Sequence, residues 1–161
     1  MKNRILKILS VAAVATIGMV SCTTDACKDV ECGVYGTCVE GDCICELGYS
    51  GSDCATVVRD AFIGSGNVNE TCTTSTDTYA VTITAGTGIT DIVISNLYDA
   101  GLTVNGTINA DGSVTIPSQT FGTGTISGSA TISGTAPNDT LNISFELIIG
   151  GDTDSCTVVS V

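Results

Sequence analysis

The 161-residue chain has no histidine, no tryptophan, two prolines and only five basic residues. Each shortage removes a class of function. Without an imidazole, Ser-His-Asp and Cys-His catalysis, histidine-ligated zinc and a histidine pH switch cannot be assembled. Five Lys and Arg stand against 17 Asp and Glu, a formal charge of −12. The counterion release that drives nucleic-acid binding needs clustered cations, so nucleic acid is excluded as a partner. Phosphate chemistry would lack positive charge in the same way. Aromatic residues make up 4% of the chain, too few for an aromatic-lined ligand pocket to be the obvious reading of any segment.

The positive charges that exist are concentrated at the start. Lys2, Arg4 and Lys7 precede an uncharged apolar stretch from Ile8 to Val20, a basic region followed by a hydrophobic run too short to span a bilayer comfortably. Residues 1–21 therefore read as an export signal. The run ends Gly18-Met19-Val20-Ser21-Cys22, which resembles the lipobox of bacterial lipoproteins, with Met19 in place of the more usual Leu. The resemblance implies cleavage before Cys22, lipidation of Cys22 and a short tether over residues 22–26. Without an anchor, Cys22 would be one more disulfide partner in an ordinary secreted chain. Processing leaves two cations, Lys28 and Arg59, against all 17 acidic residues, a mature charge of −15. So acidic a body gains nothing from anionic headgroups, and attachment to the membrane must rest on lipid.

With Cys22 set aside, eight of the nine cysteines remain, an even number in an exported chain, and a disulfide framework is their expected use. Six are crowded into residues 27–54: Cys27, Cys32, Cys38, Cys43, Cys45 and Cys54. Six cysteines allow many pairings, and spacing alone does not choose among them. The ending Cys45-Glu46-Leu47-Gly48-Tyr49-Ser50-Gly51-Ser52-Asp53-Cys54 resembles an EGF-like module of the tenascin type. That resemblance implies Cys27 with Cys38, Cys32 with Cys43, and Cys45 with Cys54. About 28 residues cannot bury enough apolar surface to fold alone, and cross-links supply the missing restraint. Zinc is disfavoured because six cysteines in an oxidising compartment do not divide into one four-ligand site. Calcium-binding EGF modules carry an acidic cluster before the first cysteine. Here Thr23-Thr24-Asp25-Ala26 offers one carboxylate, so no calcium site is expected.

From about Val57 the text is rich in Thr, Ser, Gly, Val and Ile and breaks into short alternating runs. Such alternation is the signature of half-buried strands. Gly64–Cys72 and seven further runs give about eight strands over residues 57–161. Asp111-Gly112, Gly86-Thr87-Gly88, Gly150-Gly151 and Pro137-Asn138 mark the short links. Short links make successive strands antiparallel neighbours, hence a meander.

The two remaining cysteines, Cys72 at the end of the first strand and Cys156 in the last, should pair with each other. The edges of an open meander lie too far apart for a disulfide, whereas in a closed barrel the first and last strands are neighbours. The expected fold class is therefore all-β: a disulfide-rich module followed by an up-and-down barrel of about eight strands, with a β-sandwich as the alternative. The runs Phe62-Ile63-Gly64, Ile94 to Tyr98 and Ile116 to Gln119 also resemble uncharacterised calycin-like lipoprotein domains of Bacteroidota, a resemblance that brings no established activity.

The expected role is a membrane-anchored, non-enzymatic binding module on an EGF-like stalk, at the periplasmic face of the outer membrane or the cell surface, meeting a protein or glycan partner. The alternative is a lipocalin-like carrier with a small apolar ligand in the barrel. Against it, Phe62, Tyr79, Tyr98, Phe121 and Phe145 are sparse and read as ordinary core. Neither catalytic residues nor cofactor or metal ligands are assigned. Asp152 and Asp154 read as a solvated acidic loop, and with Asn109 and Asp111 they lack the ligand spacing of a calcium loop. Asn69, Asn105, Asn138 and Asn142 fall in N-x-S/T triplets of the kind a Ser/Thr-rich chain generates by chance. Asp139-Thr140-Leu141 resembles a short Bacteroidota O-glycosylation motif.

Overall fold

A computed structural model describes residues 25–134 and 139–161. The expected signal, the Cys22 lipidation site and the Pro137-Asn138 bend lie outside them. Among the described residues no helix is long and apolar enough to cross a membrane.

The N-terminal module carries two small antiparallel pairs, β1 (Gly36–Val39) with β2 (Asp42–Cys45), and β3 (Tyr49–Ser50) with β4 (Thr56–Val57). Three disulfides join Cys27 to Cys38, Cys32 to Cys43 and Cys45 to Cys54. Cys32 and Cys54 are buried, while Val34, Ile44 and Leu47 stand exposed. Sulfur thus takes the place of a hydrophobic core. Tyr35 and Tyr49 stack with ring centroids 3.9 Å apart. Thr56 and Val57 belong to this module's sheet, so it runs past Cys54 and takes in Val57, which the sequence pattern assigns to the barrel. Two residues at the hairpin, Tyr49 and Ser50, need main-chain partners, and the chain just after Cys54 is the nearest to supply them.

A short 3₁₀ turn (Val58–Ala61) leads into the barrel. Its strands are β5 (Gly64–Cys72), β6 (Thr76–Ala85), β7 (Asp91–Leu97), β8 (Leu102–Ile108), β9 (Val114–Phe121), β10 (Gly124–Ser133), β11 (Thr140–Ile149) and β12 (Asp152–Ser160). Each pairs antiparallel with the next, and β12 pairs with β5 to close the barrel. Cys156 sits directly opposite Cys72 in that seam, and the two are disulfide-bonded with Cα atoms 4.0 Å apart.

Alternation decides what fills the interior. In β6 Tyr79, Val81 and Ile83 are buried, and so are Ile143, Phe145 and Leu147 in β11, with exposed or half-buried neighbours between them. An eight-stranded barrel is just wide enough for such side chains to meet at its axis. Ile92, Ile94, Ile108, Ile116, Ile126 and Val158 are essentially inaccessible there. Gly150 and Gly151 both have positive φ, 62° and 98°, as the two-residue β11–β12 hairpin requires.

The barrel has unlike ends. At the proximal end Phe62 is buried in the core and Val58 packs against it. There the module docks: the Val58 N–H donates to the Gly48 carbonyl at 2.9 Å, and the Arg59 guanidinium donates to the Gly88 carbonyl of the β6–β7 loop. Gly48 rests against Ile89 and Thr90, so closely that a Cβ would sit 3.2 Å from either side chain. The distal end has the β5–β6, β7–β8, β9–β10 and β11–β12 turns, and among the described residues it carries no part of the module.

Candidate functional site

The distal mouth holds a chain of polar side chains that the apolar interior cannot explain. Glu70 in β5 is the one buried charged residue among those described, only 3% exposed. Its Oε2 accepts a hydrogen bond from the Tyr79 hydroxyl at 2.6 Å. That hydroxyl in turn accepts the Tyr98 backbone N–H at 3.0 Å. The Tyr98 side chain crosses the mouth, donating its hydroxyl to Asp154 Oδ2 at 3.0 Å and meeting Phe145 edge-on with centroids 6.3 Å apart. Thr74, in the β5–β6 turn, donates to the same Asp154 oxygen. Five elements are thereby tied together: β5, the β5–β6 turn, β6, the β7–β8 turn and β12.

Electrostatics follow from burial and bonding. Desolvation raises the Glu70 carboxyl above its ordinary value, opposed by the Tyr79 hydrogen bond and reinforced by Asp77, Asp154 and Asp99. Desolvation and the Glu70 contact push the Tyr79 phenol far above its usual value, and burial raises Tyr98 as well. Asp154 moves the other way: the Thr74 hydroxyl, and after it the Tyr98 hydroxyl, favour its charged form. Its second oxygen, Oδ1, is buried without a hydrogen-bond partner among the described residues.

The backbone at this mouth is strained. Asn96, Tyr98 and Asp99 all have positive φ, 64°, 63° and 45°, a conformation that is uncommon for any side chain and an outlier for a bulky one. Asn96 stabilises the turn from both sides, accepting from the Gly101 N–H at 3.0 Å and donating to the Ala80 carbonyl at 2.8 Å. A bulge between Ser95 and Leu97 accompanies it. This geometry places the Tyr98 N–H on Tyr79 and its hydroxyl on Asp154 at once.

Two sequence-based assignments change here. Asp152 and Asp154 are strand residues of β12 rather than a loop, and Asp154 faces the mouth, because the Gly150–Gly151 hairpin is tight enough for the strand to begin at once. Tyr79 and Tyr98 are not merely core but carry the polar chain. In β5 Glu70 alternates onto the same inward face as Val68 and Cys72, and an acid in that register is the signal by which the sequence could have pointed to the site. Asn109 and Asp111 lie at the proximal end. There Asn109 bonds Ser113 and Thr115, and hydrogen bonds from Ser113 lower the Asp111 carboxyl.

Glu70 Oε and the sulfurs of Cys72 and Cys156 fall within 4.8 Å of one another. Both sulfurs are spent in the disulfide, and the thiolate is the metal ligand, so the group is not a metal site. No family model, no curated protein and no solved structure matches the chain.

Proposed function

We propose that this chain is an exported, lipid-anchored, non-enzymatic binding module: an EGF-like stalk attached through Cys22 that holds a calycin-like barrel away from the membrane, with the distal mouth as its recognition end. The observation that carries this reading is the polarity of the barrel. The module docks on the end plugged by Phe62 and Val58, which leaves the opposite end, with its strained Tyr98 turn and hydrogen-bonded acids, free of the module among the described residues. Strain held in place by surrounding bonds is found at binding and switching sites. The mouth is acidic, with Glu70, Asp77, Asp99 and Asp154, and the two mature cations Lys28 and Arg59 sit on the module side. A partner that meets it is neutral or basic at its contact, whether protein or glycan.

The carrier reading has less behind it. A ligand in the lumen would have to displace Ile92, Ile94, Ile116, Ile126 and Ile143, which fill the axis. Disulfides are themselves weak support for export. Mass analysis of the Cys22 peptide from cells, with protease shaving of intact cells, tests the anchor and its face. An acylated Cys22 that becomes soluble in Cys22→Ser is expected, and an unmodified Cys22 thiol overturns the anchor. Native mass spectrometry after exposure to a host lipid extract tests the head. The bare mass is expected, and a stoichiometric lipid adduct would replace the binding-module reading with the carrier.

A further inference from the structure

We propose that the barrel wall contains a strand-accepting slot between β8 and β9, and that its ligand is an uncharged, extended peptide segment. This inference rests on the reading of the barrel as an interaction head and names a partner class for it.

The slot follows from Pro117 and from the bulge beside it, where the β9–β10 register shifts between Ile126 and Gly128. Strands β8 and β9 pair only at Thr107 with Thr115 and Ile108 with Val114, whereas β10 and β11 pair along their whole length. Continuing the β8–β9 register toward the mouth would set Pro117 opposite Asn105. Proline has no N–H to give the Asn105 carbonyl, so the ladder stops. The two strands then part toward the distal end around a cavity of ≈ 400 Å³, whose lining includes Leu102, Val104, Phe121 and Ile126.

What occupies the gap identifies its ligand. The Gln119 side-chain amide lies where a strand would: its Oε1 accepts the Asn105 N–H at 2.8 Å and its Nε2 donates to the Asn105 carbonyl at 2.8 Å. Nε2 also reaches the Pro117 carbonyl at 3.2 Å. A primary amide making both hydrogen bonds that a paired strand residue would make to Asn105 is a stand-in for main chain, so the site's complement is main chain. By strand alternation the Thr103 N–H and carbonyl face the same gap one step nearer the mouth. A segment entering from the distal end would exchange the Gln119 amide for its own at Asn105, a near-even trade of like bonds. It would add bonds at Thr103 and set alternate side chains against Leu102 and Phe121. This is strand addition to an exposed sheet edge. The stretch from Leu102 to Asn105 accommodates about three to four extended residues at roughly 3.3 Å each. Among the described residues no charged side chain lines the slot, so an uncharged, β-branched segment fits it.

The test uses the full chain and the capped tetrapeptide acetyl-Thr-Val-Thr-Val-amide, followed by amide NMR. Binding is expected to move the Thr103 and Asn105 amides. Gln119→Ala removes the internal competitor and should tighten binding about fivefold to tenfold. Pro117→Val restores the missing N–H, lets the ladder close and should weaken binding at least tenfold. Equal affinity in all three proteins overturns the proposal, as does the absence of binding to Gln119→Ala. Peptide-induced shifts confined to the Tyr98 turn overturn the slot while leaving the mouth as the recognition end. Self-association of Gln119→Ala without peptide, read by light scattering, would assign the edge to a second copy of the chain instead. The state of Cys22 is measured separately, so failure of the anchor and failure of the slot are distinguishable.

Discussion

The hydroxyl of Tyr79 stands 2.6 Å from Glu70 Oε2, donating to the buried carboxylate while accepting the N–H of Tyr98. One phenol oxygen therefore serves both a charge in the barrel wall and the strained turn above it.

Tyr79→Phe removes that oxygen and leaves a buried carboxylate without its donor. A loss of about 1–3 kcal/mol is expected in the denaturant midpoint at neutral pH. Because the Glu70 carboxyl is raised in the folded protein, its contribution to stability is fully present below its unfolded value and is lost as pH rises through the folded one. The phenol opposes that rise, so its removal raises the carboxyl further. The deficit of Tyr79→Phe should therefore shrink on acidification, while Glu70→Gln should lose this pH dependence. A deficit constant from neutral to mildly acidic pH would refute the pairing.

Asp154 titrates with the opposite sign. Its carboxyl is lowered chiefly by the Thr74 hydroxyl, so the stability it contributes is present above its unfolded value and lost as pH falls through the folded one. Thr74→Val should move the Asp154 carboxyl-carbon titration upward toward the ordinary aspartate range and soften acid unfolding. An unchanged titration would show that Thr74 does not hold this group.

The Cys72–Cys156 bond closes a loop of 84 residues in sequence separation. In the chain-entropy account, such a cross-link is worth about 4–5 kcal/mol through the unfolded state. Replacing both cysteines with Ala should cost an amount of that order in the denaturant midpoint. Hydrogen exchange should quicken first in β5 and β12, the strands of the closing seam. Exchange rising evenly around the barrel would mean that the seam does not open first.

Gly128 in β10 lies directly opposite Phe145 in β11. A Cβ there would run into the Ser144 carbonyl oxygen and come within 2.8 Å of Phe145 Cα, both on backbone that cannot swing aside. Gly128→Ala should cost about 1–3 kcal/mol as overpacking. A thermal midpoint matching the parent would show that the strands can separate at this point.

Much of the architecture was legible from residue types. The strand Gly64–Cys72 begins and ends where alternation placed it, and closure follows from the position of two cysteines, since only neighbouring strands can share a disulfide. The mouth was not legible in the same way. Glu70, Tyr79, Tyr98 and Asp154 are far apart along the chain, and no local pattern announces that a bulge at Asn96 turns Tyr98 over the barrel toward β12. The β8–β9 slot was hidden for a related reason: Pro117 interrupts a ladder only if Asn105 is opposite it, and register is a property of paired strands.

By itself, then, the sequence determined what short-range physics controls: which segments alternate, where glycine permits a turn, and how many cross-links the N-terminal module needs in place of a core. The tertiary structure decided which end of the barrel the module covers, which polar groups are drawn inward, and where the wall fails to close. Those outcomes depend on side chains from distant strands meeting at bonding distance, and that meeting is set only when the barrel closes.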